Sequence, residues 1–162
     1  MFWLEFGLLT AFWLFLFFPT SVSNLVLLAA LLLHIAVLII RGVTIGFLPL
    51  TNKFESFYTF SLMILVVFFL RRDFSGRTFK ISLFSIGYGG LVVSSFFPKA
   101  INFPPPLMLT IWYALHVPLS FLSYALWASA FSLALNSLSH PDSSPLCSRL
   151  MASDSFYGFL AF

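Results

Sequence analysis

The segment Leu107–Leu138, LMLTIWYALHVPLSFLSYALWASAFSLALNSL, contains no charged residue. About 20 mostly apolar residues in a helix cross a ~30 Å hydrocarbon core. This run exceeds that length, and it lacks the charged stripe by which a surface helix of a soluble domain faces water. It therefore reads as a membrane helix. Pro118 lies within it and predicts a kink, because proline removes one helical hydrogen bond. His116 lies within it too, among Trp112, Tyr113, Tyr124 and Trp127.

Working outward, four more apolar runs precede it. Phe2–Phe18 is stopped by Pro19, and Leu25–Ile40 is closed by Arg41-Gly42. Phe54–Leu70 ends before Arg71-Arg72, and Ile81–Phe97 ends at Pro98. Each sits near the short limit for a span. The expected fold is all-α: a polytopic transmembrane helix bundle of about five spanning helices over residues 1–138. Composition agrees, since 60% of the chain is hydrophobic and 8% is charged, against about 25% charged in soluble domains. Membrane lipid is the expected surrounding. The net charge of +3 gives no reason to expect nucleic acid, because the basic residues sit in loops, where they set orientation. The single cysteine, Cys147, excludes an internal disulfide and a CxxC pair. Glu5 is the only charge near the N-terminus, so the first run is expected to be a retained span and not a cleaved signal peptide.

Arg71, Arg72, Arg77 and Lys80 cluster in one loop, offset only by Asp73. Excess basic residues mark the cytoplasmic side, so the 71–80 loop is expected inside. The loops Gly42–Lys53 and Pro98–Pro106 are then outside, with Arg41, Lys53 and Lys99 arguing weakly the other way. Residues 139–162 are expected to be a cytoplasmic polar tail, followed from Phe156 by the start of an incomplete sixth helix.

Ionisable residues inside hydrocarbon are functional candidates, and neutral imidazole is a common metal ligand. Trp112, His116, Ser120, Ser123 and Trp127 fall on one helical stripe, with Tyr113 and Tyr124 beside it. If the helix begins near Leu107, His116 lies about nine residues in, roughly 14 Å deep. A later start brings it nearer the outer surface. Flat aromatics around a buried imidazole suit a flat, apolar, metal-bearing cofactor such as heme. The alternative is a packing histidine, bonded to a neighbouring helix. His34, in AALLLHIAVLII, poses the same choice, and the two histidines are candidates for similar depth. Pro49 and Asn52 are turn residues, and Glu55 opens a helix where a carboxylate complements the dipole. Glu55 and Asn52 either shape a site on the outer face or simply start that helix. Ser85 with Gly89 and Gly90 with Ser94 form small-xxx-small pairs suited to close packing. His140 and Cys147 read as loop residues.

Two of these segments carry a resemblance. PLTNKFESFYTF (Pro49–Phe60) resembles the P-x-(S/T)-N-x-(Y/F)-E-S signature of CcsA/ResC-type cytochrome c biogenesis proteins. LTIWYALHVPLSFLSYALWASAF (Leu109–Phe131) resembles that family's S-x-W-x-x-x-H-V-x-x-x-F-x-x-Y-A segment, with Thr110 in the place of the usual serine. The spacing between the two motifs is also similar. The resemblance covers about Leu31 to Phe131.

The resemblance implies heme as cofactor. The family presents heme at the outer membrane face, where it is joined by thioether bonds to CxxCH motifs of apocytochrome c. His116 then matches the first of two external histidines that ligate heme iron, with Trp112 and Tyr124 beside the ligand. Pro49, Asn52 and Glu55 belong to the companion motif, and His34 matches no motif firmly. The tryptophan-rich WWD segment and the second external histidine belong to the family's C-terminal half and are not in this sequence. The ending SFYGFLAF (Ser155–Phe162) resembles the start of the helix before that segment. The resemblance implies part of a cytochrome c heme lyase, a CcsB/ResB-type membrane partner, and a bacterial plasma membrane or plastid thylakoid. The residues also leave open a structural or transporter-like membrane subunit. An almost wholly apolar midplane counts against a transport path.

Overall fold

In the computed structural model the described residues are 3, 7, 9, 10, 22–71, 76–139 and 144–162. They form helices α1 (Val22–Ile45), α2 (Lys53–Leu70), α3 (Arg77–Ser95), α4 (Ile111–Ser139) and α5 (Ser144–Ala161), with a 3₁₀ turn at Pro106–Met108. No strand occurs among the described residues, so the all-α expectation holds. The expected first span and Glu5, Arg72, Asp73 and His140 lie outside the described residues, apart from positions 3, 7, 9 and 10.

Three described helices are long and apolar enough to cross a membrane: Leu25–Ile45 within α1, Lys53–Leu70 and Ile111–Ser139. The fourth expected span does not reach that standard. α3 begins at Arg77, one turn earlier than Ile81, and so takes in Arg77 and Lys80 along with four serines and three glycines.

Local chemistry sets the boundaries. α1 runs through Arg41-Gly42 and ends at Gly46, whose φ of 71° is the left-handed conformation that glycine adopts without strain. The amides of Gly46 and Phe47 both donate to the Gly42 carbonyl, at 2.8 and 3.2 Å, closing the last turn. α2 starts on Asn52, whose extended backbone and side-chain oxygen cap the Glu55 amide at 2.9 Å. α3 has no capping side chain of its own at Gly76. Asn136 of α4 supplies one, accepting from the Phe79 amide at 3.4 Å. α4 starts at Ile111 and continues through Pro118 as one helix.

α2 lies centrally, packed against α1, α3 and α4, and α4 in turn packs along α5. The core between them holds Leu27, Leu31, Phe54, Tyr58, Ile64, Leu65, Phe68, Phe79, Leu83, Phe84, Leu91 and Leu133. The α2–α3 contact uses small residues, including the expected Gly90–Ser94 pair but not Ser85–Gly89. A Cβ on Gly87 falls 2.9 Å from Ile64 Cγ2, and one on Gly90 falls 3.2 Å from Phe60. Gly89 faces open space. The close face is therefore Gly87, Gly90 and the buried Ser94, at helical spacing.

The expected polar tail is corrected. Residues from Ser144 onward form a continuous 18-residue helix, not a loop followed by a stub at Phe156. At 1.5 Å per residue α5 is roughly 27 Å long. It runs antiparallel to α4: Asn136 meets Cys147, Ser129 meets Asp154, and Ser123 meets Gly158. Polar residues spaced along it find partners on α4 and α2, and this is why so polar a segment packs as a helix.

Candidate functional site

The turn before α2 and the loop after α3 meet at one end of the bundle, and Arg41 joins them. Its Nε and one terminal nitrogen donate to Glu55 Oε1 at 2.9 and 2.7 Å. Its terminal nitrogens also donate to the Lys99 and Ala100 carbonyls, each at 3.0 Å. Glu55 is fully buried. Its second oxygen accepts from the Thr51 amide at 2.7 Å and the Thr51 hydroxyl at 2.9 Å. Asn52 caps α2 with its oxygen and donates its amide to the Ala100 carbonyl at 2.9 Å. Asn52 thus caps α2, while Glu55 reaches back one residue further to the Thr51 amide, and together they fasten two loops. Pro49 packs beside Gly42, where a Cβ would lie 3.3 Å from its ring. Tyr113, in the first turn of α4, donates to the Leu50 carbonyl at 2.8 Å and ties α4 to the same assembly.

His116 is the sixth residue of α4, so the late helix start puts it roughly 8 Å from that end. Its imidazole is exposed. Trp112, 72% exposed, lies parallel to it at 5.8 Å between ring centroids and 4° between planes. Ser120 Oγ is 3.5 Å from Nε2, at the outer limit for a hydrogen bond, and its proton is already donated to the His116 carbonyl at 2.9 Å. Nε2 is therefore only weakly engaged by Ser120. Phe162 approaches from α5, 6.5 Å from the His116 ring, 6.1 Å from Tyr124 and 5.9 Å from Trp127. Next to them a half-open cavity of about 480 Å³ is lined by Ser56, Phe57, Phe60, Phe121, Tyr124 and Trp127.

The predicted stripe divides. Trp112, His116, Tyr124 and Trp127 share one aromatic region with Phe162. Ser123 turns into the α4–α5 contact, donating to the Gly158 carbonyl at 2.6 Å. Tyr113 turns to Leu50.

His34 is elsewhere. It is fully buried on α1, its ring stacked on Tyr58 at 3.8 Å. Its Nε2 lies 2.8 Å from the Tyr58 carbonyl. A carbonyl only accepts, so Nε2 carries the proton and the ring's lone pair is on Nδ1. Burial, stacking and this bond are the surroundings of a packing histidine. Its ring contact is with Tyr58 of α2, whereas the His116 ring meets Trp112 and Phe162. No group of three or more His, Cys, Asp or Glu suited to a metal occurs among the described residues.

An apolar planar ligand fits this face. The donor set is one exposed imidazole, weakly held at Nε2, beside a parallel indole and an aromatic groove. Neutral imidazole is a normal axial ligand for heme iron. These residues offer one imidazole nitrogen and one aromatic wall.

Sequence reasoning missed Arg41, Thr51, Asp154, Ser129, Gly158 and Phe162. Arg41 carried a signal: a guanidinium at the end of an apolar run needs a partner, and Glu55 was the nearest following acid. Asp154 carried the same signal within α5. Gly158 and Phe162 carried none, since their roles depend on how α5 lies on α4. Comparison with known proteins finds no matching family model, no matching curated protein and no matching solved structure.

Proposed function

We propose that this chain is a heme-handling membrane component of cytochrome c assembly, with five spanning helices and His116 toward the outer face. The observation that carries the reading is the exposed His116 imidazole, stacked parallel to Trp112 beside the groove of Tyr124, Trp127 and Phe162. The resemblance of Pro49–Phe60 and Leu109–Phe131 to the CcsA/ResC-type motifs supports it. So does the junction of the two motifs through Tyr113 and Leu50. In this reading the family's C-terminal half, with its WWD segment and second histidine, completes the site. A CcsB/ResB-type protein and an apocytochrome c are the partners.

In this reading His116 offers the Nε2 lone pair, and Trp112 holds the imidazole plane. Tyr124, Trp127 and Phe162 cover an apolar face and exclude water. The Arg41–Glu55–Asn52 assembly fixes the start of α4, so the imidazole is presented from a rigid end. No nucleophile of the chain is needed. Bound heme supplies the vinyl groups that take up two cysteine thiols of a CxxCH motif, and the protein's part is orientation.

The test is a reconstitution with the C-terminal half added. A purified chain with a Soret band that is lost or shifted in His116→Ala, with failing cytochrome c maturation, is the expected outcome. Normal heme content and normal maturation in His116→Ala would falsify the reading. The buried, hydrogen-bonded His34 favours a second reading, a purely structural membrane subunit. That reading predicts His116→Ala without effect and His34→Ala with lost assembly.

A further inference from the structure

α5 carries a buried carboxylate that the proposed function does not use. Asp154 is 1% exposed. One oxygen pairs with the Arg71 guanidinium at the end of α2, and the other accepts from the Ser129 hydroxyl of α4 at 2.7 Å. The contact therefore joins three helices. Burial of a charge in apolar surroundings is tolerated only with such partners, so it fixes one register of α5 on its neighbours.

One turn further along α5 the register has a visible result. Gly158 lies directly under Trp127: a Cβ there would fall 2.6 Å from Trp127 Nε1. Ser123 holds the Gly158 carbonyl at 2.6 Å. One more turn brings Phe162 against His116, Tyr124 and Trp127. A slip of α5 by one residue rotates its side chains by about 100°. It would place Tyr157 or Phe159 where Gly158 now sits and drive a side chain into Trp127.

The geometry points to Asp154 as a positioning residue: its three-helix contact with Arg71 and Ser129 sets the register that seats Phe162 as a wall of the His116 site. This rests on the reading of that site as a heme site. Asp154 touches no ligand. It acts through α5, by holding the Gly158 seat and the Phe162 ring in place.

The experiment uses the full chain in detergent with ferric protoporphyrin IX as the probe. Absorbance titration reads the Soret position and the dissociation constant, and far-UV circular dichroism reads helix content. The wild type is expected to show a Soret position that changes in His116→Ala. Asp154→Asn is expected to keep the wild-type Soret position, since His116 is intact, while binding weakens about tenfold from the misplaced wall. The charge-swapped pair Arg71→Asp with Asp154→Arg is expected to recover most of that loss. Phe162→Ala leaves the charge contact untouched, removes a ring that is 59% exposed, and is expected to reproduce the weakening without loss of helix. Wild-type affinity in Asp154→Asn or in Phe162→Ala, or no recovery in the swapped pair, overturns the positioning role while leaving the heme site standing. A wild-type spectrum indifferent to His116→Ala overturns both.

Discussion

Arg41→Met tests the assembly that orients α4. Glu55 is fully buried, and the Arg41 side chain is 12% exposed. The substitution removes both guanidinium bonds to Glu55 Oε1, at 2.9 and 2.7 Å, and strips the Lys99 and Ala100 carbonyls of a donor. Glu55 keeps only Thr51 and its own helix end. Removing one partner of a buried pair costs about 3–5 kcal/mol, because the remaining charge stays desolvated. The two carbonyls are not added to that figure, since contacts in one network do not sum. A loss of ~4 kcal/mol is roughly a thousandfold in the folded-to-unfolded ratio, out of a total of about 5–15 kcal/mol. Chemical unfolding in mixed micelles, followed by tryptophan fluorescence, reads it. Arg41→Lys is expected to fall between, because one ammonium cannot fork onto Glu55 and reach two carbonyls. The double variant Arg41→Met with Glu55→Leu is expected to regain at least half of the loss, since it leaves no orphan charge. An Arg41→Met within about 0.5 kcal/mol of wild type refutes the reasoning, as does a double variant no more stable than the single.

Three further outcomes follow from packing. Gly87→Ala pushes a methyl onto Ile64 Cγ2 at 2.9 Å and is expected to lose about 1–3 kcal/mol, whereas Gly89→Ala enters open space and is expected to gain up to about 1 kcal/mol; equal stabilities would contradict the α2–α3 geometry. Gly158→Val is expected to displace α5 from Trp127, seen as a changed tryptophan emission and faster proteolysis of the C-terminal segment; an unaltered spectrum and cleavage pattern would count against the α4–α5 register. His34→Ala breaks the 2.8 Å bond to Tyr58 and the stacked contact, and is expected to cost about 1–3 kcal/mol, while His116→Ala leaves unfolding unchanged; the reverse order would exchange the roles assigned to the two histidines.

Among the described residues, helix identity was legible where an apolar run met strong punctuation. α2 begins one residue from its expected start because Asn52 and Glu55 cap it with side-chain chemistry visible in PLTNKFES. α1 was read too short at its C-terminal end. Arg41-Gly42 looks like a boundary in sequence, but the Arg41 charge is neutralised by Glu55, so the helix continues to Ile45. α5 was missed for the same reason. Its serines, Arg149 and Asp154 read as a polar tail, and the partners of Asp154 lie on helices distant in sequence. Of the site, the Trp112–His116 stripe followed from helical spacing alone. Whether His116 or His34 is exposed did not, since both sit in apolar runs and only tertiary packing separates a solvent-facing imidazole from one pinned to Tyr58.

Asp154 also dictates an order of assembly. A carboxylate at the centre of an isolated helix costs about 2.5–3.5 kcal/mol to bring into hydrocarbon. Its two described side-chain partners belong to α2 and α4, both synthesised earlier. α5, which is not among the three described helices long and apolar enough to cross a membrane, therefore finds partners for this carboxylate only on an already formed bundle. A chain lacking Arg71 or Ser129 is expected to leave α5 undocked while the preceding helices still pack together.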